Sequence, residues 1–196
     1  MKRTLPTLPG NAFGPAPAFR GGAPARPGRG RARGSDRPVP PHERPQLEQP
    51  VIAIAHLHQG AIASKLAVQL CAALRREGVE VSALVSIDNP AGAPEAQAAL
   101  SALIEAGARQ AIMLRKPDKD AAEAVQRALA QLAGARFILA LGNTLPQLFK
   151  PYFTVVVTGH RRVLADADPL VLQAELEVTA PGEELATLLA RRIQQL

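Results

Sequence analysis

The stretch VIAIAHLHQGAIASKLAVQLCAALRREGVEVSALVSID, residues 51–88, decides the fold of this chain. It opens with a short apolar run, 51–57, set between Pro50 and the turn-forming His58-Gln59-Gly60. Such a run predicts a strand buried on both faces. Across 61–77, Ile62, Leu66, Leu70 and Leu74 recur at every fourth position, with Ala73 between them. That spacing predicts one apolar face of a helix, and Gly78 stands where a helix commonly ends. Residues 79–88 then read as a strand again.

The same alternation continues outward. PEAQAALSALIEAG (94–107) reads as a helix and RQAIMLRK (109–116) as a strand. DKDAAEAVQRALAQLAG (118–134) reads as a helix with acidic residues at its positive end. RFILALGN (136–143) and YFTVVVTG (152–159) are two more strands, separated only by 144–151, and ELEVT (175–179) is a sixth. A last helix opens at Pro181, with Leu185, Leu188, Leu189 and Ile193 expected to face the core and Arg191 and Arg192 at its negative end. Strands alternating with helices through short loops imply an α/β three-layer sandwich with a mostly parallel sheet. In such sheets ligands bind beyond the carboxyl ends of the strands, so function is sought in loops 56–64, 88–93, 116–119, 142–151 and 158–170.

Upstream of Pro50 the composition is different. Residues 1–50 hold nine basic and three acidic side chains, which accounts for the whole formal charge of +6. The rest of the chain is neutral, so the basic pI describes the N-terminal segment rather than the domain. Eleven prolines and seven glycines fall in the same fifty residues. Such a segment cannot bury enough apolar surface to offset its conformational entropy. The division expected is a disordered basic tail at 1–49 and an α/β domain at 50–196. Its densest charge, RPGRGRARG (26–34), could grip an acidic protein partner or nucleic acid, though no interleaved aromatics support base stacking. No apolar stretch is long enough to span a bilayer, and prolines interrupt the start before any signal-like core. Cys71 is the single cysteine, inside the first helix, and reads as a buried structural thiol. Cytoplasmic residence without membrane contact is the expectation.

The first strand–turn–helix is where phosphate-binding loops sit, because free backbone N–H groups and the helix dipole favour an anion there. The Walker A pattern needs Gly, four residues, Gly-Lys and then Ser or Thr. Taking Lys65 as its lysine puts Gln59, Ser64 and Leu66 in the other defined places, so the lysine alone matches. Lys65 shares a polar helix side with Gln69 and Arg76, which also suits a solvated lysine. His56 and His58 share one side of an extended segment, at a spacing suited to two ligands of one metal. With His160 and Asp88 they would form an acid–base or metal site if the loops converge.

The order of elements from 51 to 196 resembles the P-loop NTPase branch that contains the ParA/MinD-type ATPases and the molybdopterin-guanine dinucleotide biosynthesis adapter proteins. GVEVSALVSIDNPAG (78–92) looks like the second-strand segment of that branch, and the resemblance places Asp88 near Mg²⁺ or an attacking water. Gly142-Asn143 with LPQLFKP (145–151) is similar to a segment following the Walker B strand of the adapter proteins. The resemblance implies a nucleotide or another phosphate-bearing ligand, with Mg²⁺, held around His58, Gln59, Gly60, Ser64 and Lys65. It also implies a protein partner and a homodimer. The departures are specific. RFILAL (136–141) has no acid where a Walker B strand ends, and Thr158-Gly-His160-Arg161 lacks the base-reading aspartate of guanine-binding relatives. The resulting expectation is a degenerate accessory protein rather than an efficient NTPase. Two alternatives stay open: an enzyme using His58, Asp88 and His160, and an adaptor working through its tail.

Overall fold

The computed structural model describes residues 44–57, 60–87, 90–115, 120–159 and 174–195. Of the tail expected at 1–49, positions 1–43 lie outside these residues, as do His58, Gln59, Asp88 and His160. Six strands carry the fold: β1 (Val51–His56), β2 (Val81–Ile87), β3 (Ala111–Arg115), β4 (Phe137–Leu141), β5 (Phe153–Val157) and β6 (Leu176–Val178). Between and after them run α1 (Gly60–Arg76), α2 (Ala93–Glu105), α3 (Ala121–Leu132), α4 (Thr144–Leu148) and α5 (Glu183–Gln194). The sheet order is β3-β2-β4-β1-β5-β6, and every neighbouring pair is parallel.

Strand parity builds two cores. Ile52 and Ile54 of β1, with Val81, Ala83, Val85, Leu139 and Val155, pack against α1, α2 and α5. Val51, Ala53, Leu84, Ile138 and Ala140 face the other way, onto α3, α4 and Phe149. Residues 51–55 and 137–141 are buried throughout, which is why their runs are apolar without alternation. Crossover hand explains the placement of the helices. The α1 and α2 connections run toward the β3 edge and lie on one face. The α3 and α4 connections run the opposite way and lie on the other face. A single right-handed sense requires that division.

Several expectations change in detail. The sheet is wholly parallel among the described strands. Residues 144–151 are more than a link, since Thr144–Leu148 form the short α4. In α5 the buried positions are Ala186, Leu189, Ala190 and Ile193, while Leu188 is 58% exposed. The smaller alanines sit at the helix positions that face the core, and Leu188 falls outside that stripe. Ile62 is only partly buried, whereas Leu66, Leu70, Ala73 and Leu74 are buried as expected.

The described chain begins at Arg44, ahead of the composition change at Pro50. Lys150 N–H donates to Pro45 O at 3.0 Å, and Leu47 N–H donates to Lys150 O at 3.3 Å. Leu47 packs on the core that contains Phe149.

Candidate site at the carboxyl edge of the sheet

β1 and β4 lie side by side, but their chains leave toward opposite faces of the sheet. Open α/β sheets offer a crevice at such a reversal, beyond the carboxyl ends. Four described features bear on it.

The first is a clamp across the crevice. His56 N–H donates to Asn143 Oδ1 at 3.0 Å, and Asn143 Nδ2 donates to His56 O at 2.8 Å. One side-chain amide thus satisfies both backbone groups of the last β1 residue, where the β1–β4 ladder has ended. Asn143 also supports α4 through its own carbonyl, which accepts from Gln147 N–H at 3.3 Å.

The second is a forced glycine. Gly142 has φ +115°, and its N–H donates to Ile54 O at 3.0 Å. A Cβ there would lie 2.0 Å from Ser86 Oγ and 3.2 Å from Ser86 O. Ser86 Oγ in turn donates to Leu141 O at 3.3 Å. A side chain at this turn meets a strained backbone and a tight contact with Ser86, whose hydroxyl would have to turn away.

The third is the turn into α1. By strand parity His56 lies on the α1 face. A Cβ on Gly60 would lie 3.5 Å from His56 Nε2 and 3.6 Å from Glu95 Oε2. Glu95 belongs to the first turn of α2, and α1 has no acid in its own first turn. The Glu95 carboxylate therefore supplies negative charge beside the positive end of α1.

The fourth concerns the expected ligand side chains. Ser64 Oγ donates to Gly60 O at 2.9 Å, engaging the hydroxyl within its own helix. Lys65 is exposed on the outer side of α1. Hence His56 and Gly60 are brought together with Glu95, while Ser64 is tied to the helix backbone and Lys65 faces solvent. Among the described residues no group of three or more His, Cys, Asp or Glu could hold a metal ion. On the neighbouring strand end, Thr158 is 3% exposed and its Oγ1 has no hydrogen-bond partner.

Cys71 is fully buried, with Sγ 3.9 Å from Leu103 O and 4.0 Å from Ala106 O. Burial pushes its thiol up to about 11, with Arg75 opposing weakly, so it is a packing group and not a nucleophile near neutral pH. Sequence reasoning missed Glu95 and Ser86 entirely. It used Gly142-Asn143 only as a resemblance. The available signal was a Gly-Asn pair directly after a buried strand, since both residues favour turns and Asn bonds nearby backbone.

The chain matches no family model and no curated protein. A similar solved structure is the Signal Recognition Particle 54 kDa protein from Aeropyrum pernix K1 in complex with GDP, at 18% identity and a TM-score of 0.49. The alignment covers 79% of this chain and 41% of that one, so the chain spans less than half of its length. Among the described residues no helix is long and apolar enough to cross a membrane.

Proposed function

We propose that this chain is a P-loop-like accessory protein that assists a partner enzyme in metallocofactor maturation, without efficient hydrolysis of nucleoside triphosphates. One observation carries the reading: the start of α1, at the centre of a parallel sheet, has an anion cradle's placement, while the described side chains around it do not supply that chemistry. Backbone N–H groups at the start of α1 retain the positive end of a helix dipole. Around Gly60, however, stand the His56 imidazole and the Glu95 carboxylate. A triphosphate entering there meets like charge from Glu95. Leu66 stands where a Mg²⁺-holding hydroxyl belongs, the nearby Ser64 hydroxyl is engaged by Gly60 O, and the Lys65 ammonium is turned outward. Efficient phosphoryl transfer depends on a metal and a cation at the terminal phosphates, and neither is positioned by these residues.

What remains is a site for a less charged phosphate-bearing ligand, or a surface for a partner. The choice of molybdenum cofactor assembly rests on the sequence resemblance of segment 142–151 to the adapter proteins, within the branch whose second-strand segment residues 78–92 resemble. Equilibrium binding of labelled ATP and GTP with Mg²⁺, followed by turnover, tests the site. The expected outcome is weak binding without turnover, tightening in Glu95→Gln as the repelling charge is removed. Micromolar affinity with Mg²⁺-dependent turnover overturns it. The cellular arm is disruption of the gene, with molybdenum-enzyme activity expected to fall and to return on complementation. Unchanged activity removes the molybdenum assignment while leaving the binding result intact.

A further inference from the structure

Arg44 is out of place for a residue leading out of a basic tail: it is 7% exposed, and burial lowers the pKa of its guanidinium. Fully buried charges persist in folded proteins when they are hydrogen-bonded, and removal of such a bond is costly. Here Arg44 Nη1 donates to Pro146 O, inside α4. The same α4 begins directly after Asn143, whose side chain holds both backbone groups of His56. A continuous chain of contacts therefore runs from residue 44, through a one-and-a-half-turn helix, to the end of β1.

In the rest of the strap 44–50, Pro45, Gln46 and Glu48 are exposed, while Pro50 O accepts from Ile138 N–H at 3.1 Å. Besides Leu47, its ties to the domain include the two backbone bonds with Lys150. Open clefts of about 410 and 230 Å³ flank it, one beside Tyr152 and the other beside Gln126, Leu129 and Phe149. Segments with little buried apolar area and solvent on both sides open locally at low free energy.

We propose that Arg44 is a latch. Seated, it fixes α4 through Pro146 and, through Asn143, fixes the carboxyl end of β1. Withdrawn with residues 44–47, it releases α4 and loosens the end of β1 at His56. The device goes beyond the reading of the α1 start as an anion site, because it concerns the mobility of α4 and the end of β1 and stands whatever binds there. It gives any partner that captures the chain ahead of Arg44 a mechanical route to the carboxyl edge.

Amide hydrogen exchange on the full chain tests it. In Arg44→Gln the amides of His56, Gln147 and Phe149 exchange about tenfold faster or more, while Leu84 in β2 and Leu103 in α2 keep their rates. Arg44→Lys, which retains a charged donor, falls between wild type and Arg44→Gln. An unchanged His56 amide, or an equal acceleration everywhere, overturns the latch, since a merely structural anchor would lower protection globally. If Arg44→Gln does not fold, wild-type exchange in low denaturant decides. Leu47, Phe149, Lys150 and His56 then share one opening transition below global unfolding, and separate transitions overturn the proposal.

Discussion

The turns leaving β1 and β4 sit side by side at the same sheet edge, and each contains a glycine, yet they are built on opposite principles. Gly60 has ordinary helical backbone and room for a side chain, with only ordinary contact distances of 3.5 and 3.6 Å around it. Gly142 has a positive φ and a neighbour at 2.0 Å from where its Cβ would lie. The glycine that sequence reasoning marks as functional is therefore the replaceable one. The structural demand is concentrated in the β4 turn, which fixes β1 from outside. In a phosphate loop the reverse holds, because glycine is needed where the backbone must approach a ligand.

This contrast can be broken by substitution. Gly142→Ala is expected to lose at least about 3 kcal/mol, from backbone strain plus collision with Ser86. Urea unfolding reads it, and adding Ser86→Ala should restore part of the loss by removing the 2.0 Å collision. A loss below about 1 kcal/mol would mean that the turn relaxes and the contrast is false. Asn143→Ala comes next, at about 1–3 kcal/mol, because it leaves the His56 N–H and C=O without the amide that serves them. The same variant should speed exchange of the His56 amide, and a protected amide there would show that the clamp is dispensable. Gly60→Ala is the smallest effect, neutral to about 1 kcal/mol stabilising, since alanine is the better helix former and meets no obstacle. Marked destabilisation by Gly60→Ala would restore Gly60 as a constrained loop residue.

Much of the fold was legible from sequence because both-face burial leaves a plain trace. Residues 51–55, 81–85 and 137–141 are nearly unbroken apolar runs, and the helices between them show period-four spacing. The α4 helix was not, because five residues with Pro146 in the middle carry no periodicity. Leu188 was misplaced because large side chains dominate a sequence reading, while the α5 stripe uses Ala186 and Ala190 for close packing. The site was legible only as a location. His56 and Gly60 could be placed at a strand end, but Glu95 arrives from another helix. Asn143 reaches His56 across 87 positions of chain, and no local pattern records such an approach.

The insertion of β4 between β1 and β2 also dictates when the protein can assemble. Among the described strands, β1 pairs with neither β2 nor β3, the two that follow it in the chain. Its ladders form with Ile138–Leu141 and with Phe153–Val157. During synthesis the first two βα units must therefore wait, with an open slot between them, until the chain past residue 141 has emerged. Such late closure slows folding and leaves apolar strand edges exposed in the interval. A ribosome stalled before β4 should thus carry a nascent chain that chaperones bind, and the released full chain, with β4, β5 and α5 in place, should not.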